Sequence, residues 1–75
     1  MTETITQSSL IEKFAYDEEQ QVLHIYFRQG GHYGYSEVTP EKFAAFREAE
    51  SHGKFFLSEI KPHHQFSKYE DTAKN

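Results

Sequence analysis

Leu23, Ile25 and Phe27 occupy every second position of residues 22 to 28, with Val22, His24 and Tyr26 in the gaps. Successive side chains of a strand point to opposite faces, so this spacing predicts a strand with one continuous apolar face. Gln29-Gly30-Gly31 follows and turns the chain into residues 32 to 38. Glycine supplies the φ > 0 conformations that tight hairpin loops require, so the two segments read as a β-hairpin. Its apolar face must be covered by whatever else the chain folds.

The register decides where Tyr33-Gly34-Tyr35 points. A Gln29-Gly30-Gly31 loop sets Phe27 opposite Tyr33 and Ile25 opposite Tyr35, gathering all four with Leu23 on one surface. A loop of Gly30 and Gly31 alone pairs the tyrosines with Arg28 and Tyr26 on the other face. A one-residue slip exchanges core and solvent sides. The first register is favoured because it collects the apolar side chains; the second stays open.

The 75 residues include no cysteine, so neither disulfides nor a Cys-rich zinc site can support the fold, and nothing implies an oxidising compartment. A single domain with one core is expected, and a chain of this size buries only about 60% of its unfolded surface. Seven Phe and five Tyr supply the apolar payload, since an enclosed aromatic buries roughly 150 to 250 Å².

Upstream, residues 10 to 16 mix Ile11, Phe14 and Tyr16 with Glu12 and Lys13, a strand whose alternation slips once at a bulge. Residues 17 to 20 form a polar connector. Downstream, Thr39 is an N-cap, Pro40 suits the first helical position and Glu41 complements the dipole. Phe43, Phe46 and Ala49 then share a helix face, and Gly53 ends the helix or the turn after it in a left-handed conformation. A second helix is predicted over residues 54 to 61, with Phe56, Leu57 and Ile60 on one face and Pro62 as its stop. The expected fold class is α+β: a three-stranded antiparallel β-sheet packed on two C-terminal helices, β-β-β-α-α.

The formal charge of −4 argues against bulk phosphate attraction, which ordinarily shows as a basic domain. Residues 52 to 68, however, hold Lys54, Lys61 and Lys68 against Glu59 alone, with His52, His63 and His64 among them. That segment is either a local basic patch or a solvated helix face. Residues 1 to 7 lack a basic start and an apolar stretch, and no run approaches a membrane span, so a cytoplasmic protein without membrane contact is expected.

Enzymatic chemistry finds little support in the residues. There is no Cys nucleophile, no phosphate-cradling glycine loop and no metal-ligand spacing, so neither an enzyme nor a cofactor is expected. His63-His64 point apart on a regular element, and His24 and His32 lack an accompanying ligand pattern. Ser51-His52 are sequence neighbours, which rarely meet in attack geometry.

The order Ser8-Ser9, Tyr16-Asp17, Tyr33-Gly34-Tyr35, Val38-Thr39-Pro40, Ser51-His52-Gly53-Lys54-Phe55-Phe56 and Ile60-Lys61 resembles the KTSC family, small domains also found at the C-terminus of some lysyl-tRNA synthetases. The resemblance covers residues 8 to 66 as a KTSC-like domain, with residues 1 to 7 and 67 to 75 as flexible tails. It implies a domain of no established activity, with a suggestion of RNA binding. This chain departs from the family pattern at Leu57, where Asn is usual, and at Lys61-Pro62, where Arg is usual. Losing Arg removes a planar, bidentate phosphate donor. The expectation is a monomeric, non-enzymatic binding module for RNA or single-stranded nucleic acid, using Arg28, Tyr33, Tyr35, Lys54 and Lys61. The alternative is a protein-protein interaction adaptor using the aromatic strand edge or the second helix. Core packing of Tyr33 and Tyr35, and capping by Ser51, are the structural readings of the same residues.

Overall fold

The computed structural model describes residues 3 to 6 and 8 to 69. Five strands form one antiparallel sheet in the spatial order β1 (Glu3–Ile5), β2 (Ile11–Asp17), β3 (Val22–Phe27), β4 (His32–Tyr35) and β5 (Phe66–Tyr69). Helices α1 (Pro40–Arg47) and α2 (His52–Phe55), the latter running on through a π-helical turn at Phe56–Ile60, connect β4 to β5. The α+β class holds, but the sheet has five strands where three are predicted. β1 lies in the segment read as an N-terminal tail, and β5 runs from Phe66, the end of the expected domain, into the segment read as a C-terminal tail. They are short edge strands, with β5 exposed throughout, and neither carries enough apolar residues to announce itself. Residues 1, 2, 7 and 70 to 75, the rest of those tails, lie outside the described residues.

The hairpin adopts neither predicted register. Leu23 faces Tyr35, Ile25 faces Tyr33 and Tyr26 faces His32. Arg28, Gln29 and Gly30 form the loop, closed by bonds from Gly30 N to Phe27 O (2.9 Å) and from Phe27 N to Gly31 O (3.1 Å). Gly30 and Gly31 carry φ of 106° and 104°, the turn conformations that position them there. Relative to the favoured register the partners move by two residues. Side chains alternate with period two, so the tyrosines stay on the face of Leu23 and Ile25.

The slip in β2 is real: Ile11 pairs with Phe27 but Lys13 with Tyr26, leaving Glu12 as the bulged residue. The bulge lets Ile11, Phe14 and Tyr16 all point inward, where they are buried with Leu23, Ile25, Tyr35, Val38, Phe46, Phe56 and Ile60. Phe14 meets Phe46 edge-on at 4.7 Å, Tyr16 stacks on Phe43 at 4.3 Å, and the Tyr16 hydroxyl donates to Val38 O. This single layer between sheet and helices is the core.

Thr39 caps α1 as expected, accepting from Lys42 N at 3.2 Å. Ser51 caps α2, accepting from Lys54 N at 3.2 Å. Gly53 departs from expectation: it lies inside α2 rather than in a left-handed turn, and positive φ among the described glycines is confined to Gly30 and Gly31. Close approach explains it instead. A Cβ on Gly53 would stand 3.1 Å from Ser8 Oγ, which accepts from the backbone N–H groups of Leu10 and Ile11. Ser8 and Gly53 thus lock the β1–β2 connection onto α2.

Candidate functional site

A cleft of about 380 Å³ opens where the helix-covered face of the sheet reaches the β4–β5 edge. Phe27, Tyr33, Tyr35 and Phe66 come from the sheet, Phe56 and Leu57 from the π turn, and Lys61 follows that turn. The π turn leaves Phe56 and Ile60 buried while Leu57 is 52% exposed, so Leu57 stands at the cleft mouth rather than in the core. Phe66, 56% exposed, stands on the opposite side.

The aromatic walls are held by edge contacts of Tyr35 to Phe56 at 5.1 Å and Phe27 to Tyr33 at 5.5 Å, and by a tilted contact of Tyr33 to Phe66 at 5.4 Å. Tyr35 is nearly enclosed, and burial, with Tyr33 beside it, holds its hydroxyl above the usual tyrosine range. It is therefore a neutral hydroxyl. Lys61 is exposed, and Lys68 is the register partner of Tyr33 on β5, which sets a second ammonium on the same sheet face. No carboxylate belongs to the described lining.

Of the five residues expected at a site, the fold brings Tyr33, Tyr35 and Lys61 together. Arg28 and Lys54 are not part of the cleft. The Arg28 guanidinium reaches back to the β1–β2 connection, donating to Ser8 O and to Thr6 O. Lys54 is an exposed residue of α2. Sequence reading missed Phe66 and Lys68 because the strand carrying them was taken for the domain end; the brief alternation of Phe66 and Lys68 with Ser67 and Tyr69 was the available signal.

Ser51 and His52 have separate structural partners. Ser51 Oγ is the helix cap, while His52 Nε2 lies 3.2 Å from Arg47 O with its ring against Phe14 and Phe46. Among the described residues no cluster of three His, Cys, Asp or Glu side chains could hold a metal ion.

The opposite sheet face carries a ladder across all five strands: Ile5, Lys13, Tyr26, His32 and Tyr69 are successive register partners. Tyr26 stacks on His32 at 4.1 Å and 17°, His32 on Tyr69 at 4.6 Å and 19°, and Lys13 Nζ lies 4.7 Å from the Tyr26 centroid. His24 Nδ1 sits 2.8 Å from His32 Nε2.

A five-stranded antiparallel sheet with helices on one face, and a cleft at its edge whose described lining is aromatic and carboxylate-free, defines a small α+β domain. The KTSC domain model matches residues 7 to 66, and the chain belongs to the KTSC family. An uncharacterised protein of Stutzerimonas stutzeri is 41% identical over 64 residues, spanning 85% of this chain and 90% of that one. A protein of Tsukamurella paurometabola is 43% identical over 56 residues, spanning 75% and 84%. The crystal structure of a KTSC domain protein from Yersinia pestis superposes with a TM-score of 0.87 at 32% identity, covering 92% of this chain and 97% of that one. Among the described residues no helix is long and apolar enough to cross a membrane.

Proposed function

We propose that this KTSC domain is a non-catalytic, cytoplasmic module that takes an unpaired base of RNA or another single-stranded nucleic acid into the β4–β5 cleft. The observation that carries the reading is the lining itself: Tyr33 and Phe66 flank the opening, Lys61 is the lining cation, and no described lining residue is acidic. Base stacking on aromatic rings tolerates any sequence, and an adjoining phosphate is the natural partner of Lys61 and Lys68. The overall charge of −4 limits long-range attraction, so affinity rests on the cleft and is modest.

The test is fluorescence anisotropy with labelled single-stranded RNA and DNA at about 50 mM salt, where ionic contacts are least screened. Lys61→Glu should weaken binding and flatten its salt dependence, because fewer counterions are released. Tyr33→Leu should cost about 1 to 3 kcal/mol of binding in a domain verified as folded. Lys54→Glu should leave affinity unchanged. Absence of wild-type binding, or equal loss with Lys54→Glu, rejects the reading. In that event the exposed Leu57 and Phe66 at the cleft mouth favour a protein-interaction adaptor.

A further inference from the structure

His24 and His32 are two titratable side chains whose ring nitrogens meet, Nδ1 to Nε2, 2.8 Å apart. An N–H···N contact of that length needs one nitrogen to donate and the other to present a lone pair. The pair therefore tolerates both rings neutral, or one imidazolium beside one neutral ring. It does not tolerate two imidazoliums, whose N–H groups would point at each other.

The surroundings decide which ring is charged first. His32 lies between the parallel rings of Tyr26 and Tyr69, whose π faces stabilise a cation. His24 is 8% exposed, and burial lowers its basicity, with the Asp17 carboxylate pulling the other way. This arrangement favours His32 as the donor and His24 as the acceptor. Lys13 on β2, whose ammonium lies over Tyr26, adds a like charge on the same face, and Asp17 on β2 is the acidic group acting on His24. Tyr26 on β3 and Tyr69 on β5 also pack on the pair.

We propose that the His24–His32 pair is a proton-gated latch for β5, closed while His24 presents its Nδ1 lone pair and opened when both rings are charged. The C-terminal strand is the element it controls. Tyr69 rests on His32 at 4.6 Å and meets His24 edge-on at 5.2 Å, while β5 is exposed throughout and pairs with β4 alone. Charging His24 places two cations in contact, drives the rings apart and removes the seat of Tyr69. On the binding reading given above, release of β5 also takes Phe66 out of the cleft wall, but the latch itself does not depend on that reading.

Amide hydrogen exchange, corrected for intrinsic rates and compared at about pH 7.5 and about pH 5, tests the latch through β5 rather than through ligand. Protection of β5 amides should fall at least about tenfold on acidification, and several-fold further than any loss at the amides of β2 and β3. In His24→Gln the carboxamide oxygen accepts from His32 whatever the charge of that ring, so β5 protection should change by no more than about twofold. His32→Phe, which keeps the aromatic stack without a titrating group, should behave likewise and serves if the first variant fails to fold. Unchanged β5 protection in the wild type, an equal loss in all strands, or the same acid release in a folded variant overturns the proposal. Nitrogen NMR of the wild-type imidazoles gives a check without mutation: His32 should take up its proton before His24, and the reverse order rejects the latch.

Discussion

The ring of Tyr69 lies against the backbone of Gly34, so that a Cβ at Gly34 would stand 2.6 Å from Tyr69 Cε1 and 3.1 Å from Val22 Cγ1. Gly34 is not in a left-handed conformation; space, not backbone freedom, requires glycine between the two tyrosines of the motif. Gly34→Ala should push the Tyr69 ring off His32 at a cost of about 0.5 to 1.5 kcal/mol, the worth of a stacked aromatic pair. A thermal melt together with tyrosine near-UV circular dichroism checks this, and an unchanged melt with an unchanged spectrum rejects it.

Phe46 is completely enclosed and meets Phe14, Phe55 and His52. Phe46→Ala removes the central helix-to-sheet contact and should cost about 3 to 5 kcal/mol, a large fraction of the stability of so small a domain. The midpoint of urea unfolding is the measurement, and an unchanged midpoint contradicts the packing described.

Arg28 illustrates how a cation that looks available for binding can be committed to the fold. Its guanidinium bonds the carbonyls of Thr6 and Ser8, so Arg28→Ala should lower stability by about 1 kcal/mol and loosen the β1–β2 connection. Oligonucleotide affinity of the folded variant should be unchanged. Anisotropy and denaturant titration on the same sample separate the two effects.

Acid should destabilise the domain through His24. Burial lowers its folded-state basicity, so between the folded value and the unfolded value of about 6.5 the unfolded chain binds more protons. The stability contributed by the neutral ring is complete above that unfolded value and declines as pH falls through it. The melting temperature of the wild type should drop more between about pH 7.5 and about pH 5.5 than that of His24→Gln. Equal drops would show that His24 is not the group responsible.

The parts of the fold legible in the sequence were those with a strong local signal. Leu23, Ile25 and Phe27 defined β3 by alternation, the misfit between Ile11 and Phe14 announced the bulge, and Thr39-Pro40 marked the start of α1. Hairpin register was not legible, because a shift of two residues preserves every facing relationship that the apolar pattern can report. The edge strands escaped for a different reason. Their stability comes from backbone pairing with β2 and β4, and residues such as Thr4, Ser67 and Lys68 leave no apolar stripe to read. Without β5 the Phe66 wall of the cleft could not be read, and without the β1–β2 connection neither could the carbonyls that Arg28 bonds.

The order of the strands has a kinetic consequence. From β1 to β4 every pairing joins chain neighbours through a short connection, whereas β5 reaches β4 only after the chain has passed through both helices. Pairing across short loops needs little loop-closure entropy, so the four-stranded meander can assemble early and offer its apolar face to α1 and α2. Closing the segment between Tyr35 and Phe66 comes last, helped by the bonds from Ser36 N to Gln65 O and between His64 Nδ1 and Ser36 O. The strand that completes the cleft is therefore the final piece of the chain to find its place.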